Sequence, residues 1–331
     1  MKTSLVITTI NKFNKNLRNF SNNCNKNKWQ FILIGDRKTP NIKMPFGKYF
    51  DLKSQIKSNF KFAKVCPENN YARKNIGYLI AMKERNEIII ETDDDNYPKS
   101  NFFKNPKLIY KTKEIKNKSW VNIYNLFTKK KVWPRGLPLD QVFENKIKIS
   151  KLKKNKFYLQ QGVCERNPDV DAIYRLLNKN INIKFKKNYQ ISLGKALSPF
   201  NSQNTIWFKK IFPLMYLPVT CTMRCTDIFR SLVCLRILHN QNKKILFFGT
   251  NIFQKRNIHN IYSDFELEVP MYINTKKIMD ILFSLKLKKG NKKIVDNLQD
   301  CYSALVKNKV FEKKEIKYLN YWLKDIKQFD F

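Results

Sequence analysis

The sequence predicts an α/β fold, a mixed and mostly parallel sheet with helices on its faces, followed by a helical C-terminal stretch. Three observations predict it. Short apolar runs alternate with helical patterns through the first hundred residues, aspartates follow directly on those runs, and apolar residues recur every three or four positions near the C-terminus.

Leu5–Ile10 and Phe31–Ile34 are short runs of strand length, and Glu87–Glu91 is a third. Between the second and third runs lies a helical pattern from about Tyr71 to Arg85, so strand, crossover, strand, helix and strand succeed one another. In such sheets ligands bind at the carboxyl ends of the strands. This directs attention to Thr9 and Asn11, to Asp36 in Gly35–Thr39, and to Thr92–Asn96. From Lys99 to about Ser150 the pattern weakens into loops, interrupted by Trp133-Pro-Arg-Gly-Leu-Pro-Leu-Asp140. A second ordered block has a strand over Phe157–Val163, a short helix over Asp171–Leu177, a longer one over Thr226–Leu238 and an apolar run over Ile245–Phe248. The tail from about Lys276 places Ile278, Ile281, Leu282 and Leu285, then Ile316, Leu319, Trp322, Leu323 and Ile326, at helical spacing.

With 331 residues, 43% of them apolar and 14% aromatic, the chain can bury a substantial core and is not a disordered segment. Its formal charge of +39 first suggests a polyanion partner. Lysine, asparagine and isoleucine are abundant throughout, however, and no stretch matches a nucleic-acid module, so no nucleic-acid partner is expected. Peripheral contact with an anionic membrane stays open. The seven cysteines are scattered without CxxC units, which favours free thiols in a reducing compartment over zinc. Leu5–Ile10 is too short for a signal-peptide core, and no apolar run approaches the ~18 residues of a membrane span. The expected location is cytoplasmic, with attachment to the inner membrane face as an alternative.

The strongest local signal is Ile88-Ile-Ile-Glu-Thr-Asp-Asp-Asp-Asn96. Three adjacent carboxylates repel one another at the end of a buried strand, and Mn²⁺ or Mg²⁺ would offset that repulsion through Asp93 and Asp95. A solvated acidic turn is the competing interpretation. A second signal is Glu68–Leu79, where Asn69 or Asn70 caps a helix and leaves Arg73 and Lys74 in its first turns. Positive charge opposes the helix dipole there, and a diphosphate would resolve the conflict. Two ordinary surface cations are the alternative. The third is Arg224–Arg230, with Thr226 as cap. On spacing alone, Asp227 is equally a dipole-stabilising residue and a general base. His259 is a candidate third metal ligand or diphosphate contact, against an ordinary surface role. His239, at a helix end, suggests only a favourable dipole contact.

Together these segments resemble the STELLO-type glycosyltransferase family. The resemblance rests on Leu5–Asn11, Ile34–Pro40, Tyr71–Gly77, Glu91–Asn96, Val132–Asp140, Gln161–Val163 with Asn167–Ala172, Pro199–Thr205, Leu217–Thr220 and Gln254–Asn257, in order over about residues 5–270. It implies a GT-A fold, a nucleotide-sugar donor, with a UDP-sugar favoured, and a metal at the triplet. It further implies that Thr9, Asn11, Asp36, Arg73, Lys74, Asp93 and Asp94 line the donor pocket and that Asp227 is the catalytic base. Arg135, Asp140, Asn201, Gln203 and Asn204 are implied sugar or acceptor contacts. The resulting division is a transferase domain over 1–270, with a nucleotide-binding half (1–98) and an acceptor half (99–270), then a helical appendage over 271–331. Plant members of the family carry a membrane anchor ahead of this region, whereas here the first strand comes at once, so the Golgi setting does not transfer. The tail beyond about residue 275 shows no counterpart in the resemblance.

The expected activity is transfer of a sugar to a glycan, lipid-linked or protein hydroxyl, with inversion. A nucleotide-sugar mutase or self-glycosylating protein is the near alternative, and a scaffold binding an anionic membrane or nucleic acid is a more distant one.

Overall fold

The computed structural model describes residues 1–143, 146–257 and 260–331. In chain order its elements are β1 (Thr3–Thr8), α1 (Lys15–Lys26), β2 (Gln30–Ile34), β3 (Lys48–Phe50), α2 (Leu52–Lys57), α3 (Lys61–Val65), α4 (Lys74–Lys83), β4 (Ile88–Thr92) and β5 (Asn96–Pro98). There follow β6 (Ile109–Glu114), β7 (Lys153–Lys156), β8 (Leu159–Glu165), α5 (Ala172–Leu177), β9 (Gln190–Ser192), β10 (Asn204–Phe208), α6 (Thr226–Asn240), β11 (Ile245–Gln254), α7 (Ile261–Ser284), α8 (Ile294–Lys307) and α9 (Glu315–Ile326).

One sheet runs in the order β3-β2-β1-β4-β10-β8-β11-β9-β6-β7, with β5 paired to β11. The half formed by β3, β2, β1 and β4 is wholly parallel. β10 then joins β4 and β8 antiparallel, and β11 lies parallel to β8. The predicted α/β class, with a mixed sheet and C-terminal helices, is what the chain adopts. The parallel half needs crossovers, and these bury apolar side chains on both of its faces, which is why its strands read as continuous apolar runs. Antiparallel β10 drops between the two halves with Asn204 opposite Thr92, so a polar strand end meets the acidic triplet.

Two hydrophobic layers flank the sheet. One holds α1 through Leu17, Phe20 and Cys24 with Phe102 and Phe103. The other holds α4, α6 and the C-terminal helices. α4 approaches β1 and β2 so closely that a Cβ on Gly77 would lie 2.5 Å from Val6 Cγ1 and 2.9 Å from Ile34 Cγ1. That absence of a side chain lets the helix deliver Lys74 to the end of β4. Gly136 likewise adopts φ +86°, a conformation open to glycine, and turns the 133–140 loop past Ile228 of α6.

The C-terminal helices share the α6-side layer, with Trp322 and Tyr302 packed around Tyr216. Buried Glu315 of α9 accepts from Tyr216 Oη, Val219 N and Thr220 N, and Asp325 accepts from Lys61 N and Phe62 N at the start of α3. Helical structure begins earlier than the sequence reading places it. α7 starts at Ile261 and runs through Pro270, whose ring would ordinarily be read as a helix break. His239 is not a charged dipole partner: burial, then Lys195 and Arg236, push its imidazole down to about 4, so it is neutral. Among the described residues no helix is long and apolar enough to cross a membrane.

Candidate functional site

The three aspartates follow β4, but each faces a different partner. Asp93 Oδ1 receives Lys74 Nζ at 3.1 Å and Tyr71 Oη at 3.0 Å. Asp94 Oδ2 receives Thr9 Oγ1 at 2.5 Å and Asn11 Nδ2 at 2.9 Å, so the end of β1 clamps the middle carboxylate. Asp95 Oδ2 receives Gln254 Nε2 at 2.8 Å from the end of β11, while its Oδ1 is buried with no hydrogen-bond partner among the described residues. The elements that meet here are β1, β4, β11 and the start of α4. All present their ends on the same edge of the sheet, as the parallel topology demands.

Burial raises the Asp93 carboxyl, opposed by Lys74. Asp95 is pushed up to about 6 by burial and then by Asp93, with Gln254 opposing. Three half-buried carboxylates in a row, one with an oxygen that has no partner among the described residues, suit a hard divalent cation. Among the described residues no three His, Cys, Asp or Glu side chains form a ready-made cage. A Mg²⁺- or Mn²⁺-type site does not need one, because it takes one or two carboxylates and completes its shell with substrate phosphate and water. His259, the expected third ligand, lies outside the described residues.

Since the folded pKa of Asp95 lies above its unfolded value, the ionised side chain costs stability at pH well above 6, and the cost fades as pH falls through 6 toward the unfolded value. In chelator, Asp95→Asn is therefore expected to raise the thermal midpoint at high pH, with the gain shrinking as the solution is acidified. A gain that does not vary with pH would contradict this account.

Lys74 is fully buried, and its ammonium also reaches Thr92 O at 2.9 Å and Tyr71 Oη at 3.1 Å. Arg73 differs. Its guanidinium turns inward to Gln55 Oε1 at 2.6 and 2.9 Å and to Cys66 O at 2.9 Å, so the structure places it in the scaffold and away from the triplet. Asp36 accepts from Asn69 N (2.9 Å), Asn70 N (3.1 Å) and Arg37 N (2.7 Å), tying the end of β2 to the approach of α4. Asn70 does cap the turn before α4, through Ala72 N. Thr226 does not cap α6; its hydroxyl donates back to Thr222 O.

Asp227 begins α6 and is almost fully buried. Both its oxygens receive Arg135 Nη2, at 3.1 and 3.0 Å, and Oδ2 also receives Ser202 N at 3.1 Å and Ser202 Oγ at 3.2 Å. Arg135 is shared with Asp169 through Nε at 2.8 Å and Nη2 at 2.9 Å. Burial opposes charge on Asp169, but Arg135 outweighs it and holds that carboxyl below its usual range. Ser202 Oγ in turn lies 2.5 Å from Tyr71 Oη. A continuous path therefore runs Asp93–Tyr71–Ser202–Asp227.

Tyr71, Ser202 and Asp169 are the members that the sequence reading missed as site residues, although all three lie inside its quoted segments. Asn201 and Gln203 lie beside this path: Asn201 Oδ1 accepts from Gln161 Nε2 and Gln203 N, and Gln203 O accepts from Thr92 Oγ1. Asn204 Nδ2 donates to Asn251 Oδ1, while its own Oδ1 is buried and has no partner among the described residues. Asp140 is exposed and pairs with Lys276 of α7, apart from this group.

A parallel four-strand half ending in an acidic triplet, joined through an antiparallel strand to a mixed half, defines an α/β protein of GT-A-like architecture. The chain is similar to the STELLO glycosyltransferases. The family model described as STELLO glycosyltransferases matches residues 224–331, which include the tail that showed no counterpart in the sequence reading. Probable glycosyltransferase STELLO2 of Arabidopsis thaliana is 24% identical over 323 residues, covering 90% of this chain and 41% of its own length. Probable glycosyltransferase STELLO1 of the same plant is 24% identical over 320 residues with the same shares. The chain thus spans about two fifths of the length of these relatives.

Proposed function

We propose that this protein transfers a glycosyl group from a nucleoside diphosphate sugar, with UDP the favoured carrier, to an acceptor hydroxyl. Asp93 and Asp95 would hold Mn²⁺ or Mg²⁺, and Asp227 would be the general base. When bound, the ion supplies positive charge against the departing diphosphate.

The path from Asp93 to Asp227 is the observation that carries this reading. It links the proposed metal-binding carboxylate to the proposed base through two hydroxyls, those of Tyr71 and Ser202, in three close contacts. Asp227 Oδ1 accepts only from Arg135 among the described residues and keeps a lone pair free. Arg135 and Ser202 fix the carboxylate's direction. As the acceptor oxygen bonds to the anomeric carbon, its proton passes to Asp227, and the nucleoside diphosphate leaves with the glycosidic electron pair. A single displacement of this kind inverts the anomeric centre.

Calorimetric titration of UDP and GDP with and without Mn²⁺ tests the donor half. Metal-dependent binding of UDP is expected, and its loss in an Asp93→Ala, Asp95→Ala double variant. Absence of binding by either nucleotide under all metal conditions would remove the reading.

A further inference from the structure

Large apolar side chains left in water mark contact surfaces when they gather in one place. Leu177 (74% exposed), Tyr262 (74%), Ile273 (69%) and Phe143 (65%) are, with the terminal Met1, the five most exposed large apolar side chains among the described residues. The four internal ones fall on three adjoining elements. Phe143 stacks edge-on against Trp133 with ring centroids 5.9 Å apart, and Trp133 against Tyr174 of α5 at 4.8 Å. α5 carries Leu177 and packs on α7, where Ile173 N donates to Tyr272 Oη at 3.4 Å. Asp140 pairs with Lys276 and pins the 139–143 segment to the same helix. On α7, Tyr262 and Ile273 stand eleven residues apart, close to three full turns, so both project from one side with half-exposed Phe265 beside them.

The charge around this patch selects its partner. Lys179 and Lys277 are exposed and lie two residues from Leu177 and four from Ile273. Apolar groups rimmed by lysine match an anionic bilayer, where the rings and branched side chains enter the acyl boundary and the ammonium groups meet lipid phosphate. A second copy of the chain fits poorly, because a twofold contact would set this lysine rim against itself. We infer that the face formed by the 139–143 loop, α5 and the outer side of α7 docks the protein on an anionic membrane surface. The docking does not depend on the glycosyl-transfer reading.

Flotation of the full chain with vesicles of phosphatidylcholine alone, and of phosphatidylcholine mixed with phosphatidylglycerol, tests it. Binding is expected to the mixed vesicles and to weaken with salt. Phe143→Ser, Leu177→Ser and Ile273→Ser together should reduce partition about a hundredfold, since each withdraws an apolar side chain from the bilayer. The thermal midpoint of that variant should fall by only a few degrees, because these side chains are largely exposed and Phe143 gives up its one ring contact, with Trp133. Partition of the triple variant equal to the parent's would overturn the inference, since lysines alone would then explain binding. So would sedimentation showing a dimer of the parent that the triple variant dissociates. UDP titration on the same samples tests the donor site separately: vesicle binding without UDP binding leaves the docking standing and the transfer reading fallen.

Discussion

Arg230→Met is expected to lower the unfolding free energy by about 3–5 kcal/mol, the usual cost of stranding one member of a buried ion pair. Arg230 on α6 and Glu91 on β4 are both almost wholly buried, joined by Nη2 to Oε1 at 2.8 Å and Nη1 to Oε2 at 3.2 Å. Burial opposes charge on Arg230, but Glu91 and then Tyr78 reverse that and hold the guanidinium above its ordinary pKa. Tyr78 Oη and Trp207 Nε1 also donate to Glu91, and the guanidinium lies over the Trp207 ring at 5.0 Å. Methionine fills much of the arginine stem's volume, so cavity formation contributes little. The loss comes from leaving the Glu91 carboxylate in the core with only neutral donors. Adding Glu91→Gln to the variant should restore part of the loss, because that charge is then gone. Urea denaturation of the two single variants and the double variant measures this coupling, and a loss under about 1 kcal/mol in Arg230→Met would contradict it. The pair also matters to the site. Glu91 precedes Asp93 by two residues and Arg230 follows Asp227 by three, so the bond fixes the strand bearing the triplet against the helix bearing the proposed base.

The first half of this arrangement was legible in the sequence. β1, β2 and β4 announce themselves as unbroken apolar runs because a parallel sheet covered on both faces requires them, and the triplet stands out because nothing apolar dilutes it. α1 did not show, since it is mostly asparagine and lysine, and of its five buried residues two, Asn16 and Ser21, are polar. β10 was hidden by the polar residues at its start, whose amides bond to Gln161 of β8 and Asn251 of β11. Arg73 and Lys74 are adjacent and chemically alike, and only the packing of α4 decides that the lysine reaches Asp93 while the arginine is spent on Gln55 and a carbonyl. A hydroxyl bridge such as Tyr71–Ser202 joins residues 131 positions apart, and no local pattern encodes it. The Asp227 carboxylate was found by its place at a helix start, but its coupling to Arg135 and Asp169 comes from the 133–140 loop folding back over α6.

Asp227→Asn is expected to reduce kcat for transfer by about 10²–10⁴-fold, the range that a positioned general base contributes. The UDP affinity should stay within a factor of about two, because Asp227 reaches the triplet only through Ser202 and Tyr71 and touches no triplet carboxylate directly. Asparagine keeps one oxygen for Ser202 N and Oγ but sets its amide against Arg135 Nη2, so one hydrogen bond is lost as well as the proton acceptor. The two losses separate by measurement. Where the lost proton acceptor dominates, kcat falls while the donor KM and the thermal midpoint hold. Where the lost hydrogen bond dominates, the Arg135–Asp169 pair is disturbed, the thermal midpoint drops and donor binding weakens with it. A variant within tenfold of the parent in kcat would leave Asp227 as the anchor for Arg135 and shift the search for a base to Asp93, at the other end of the same path.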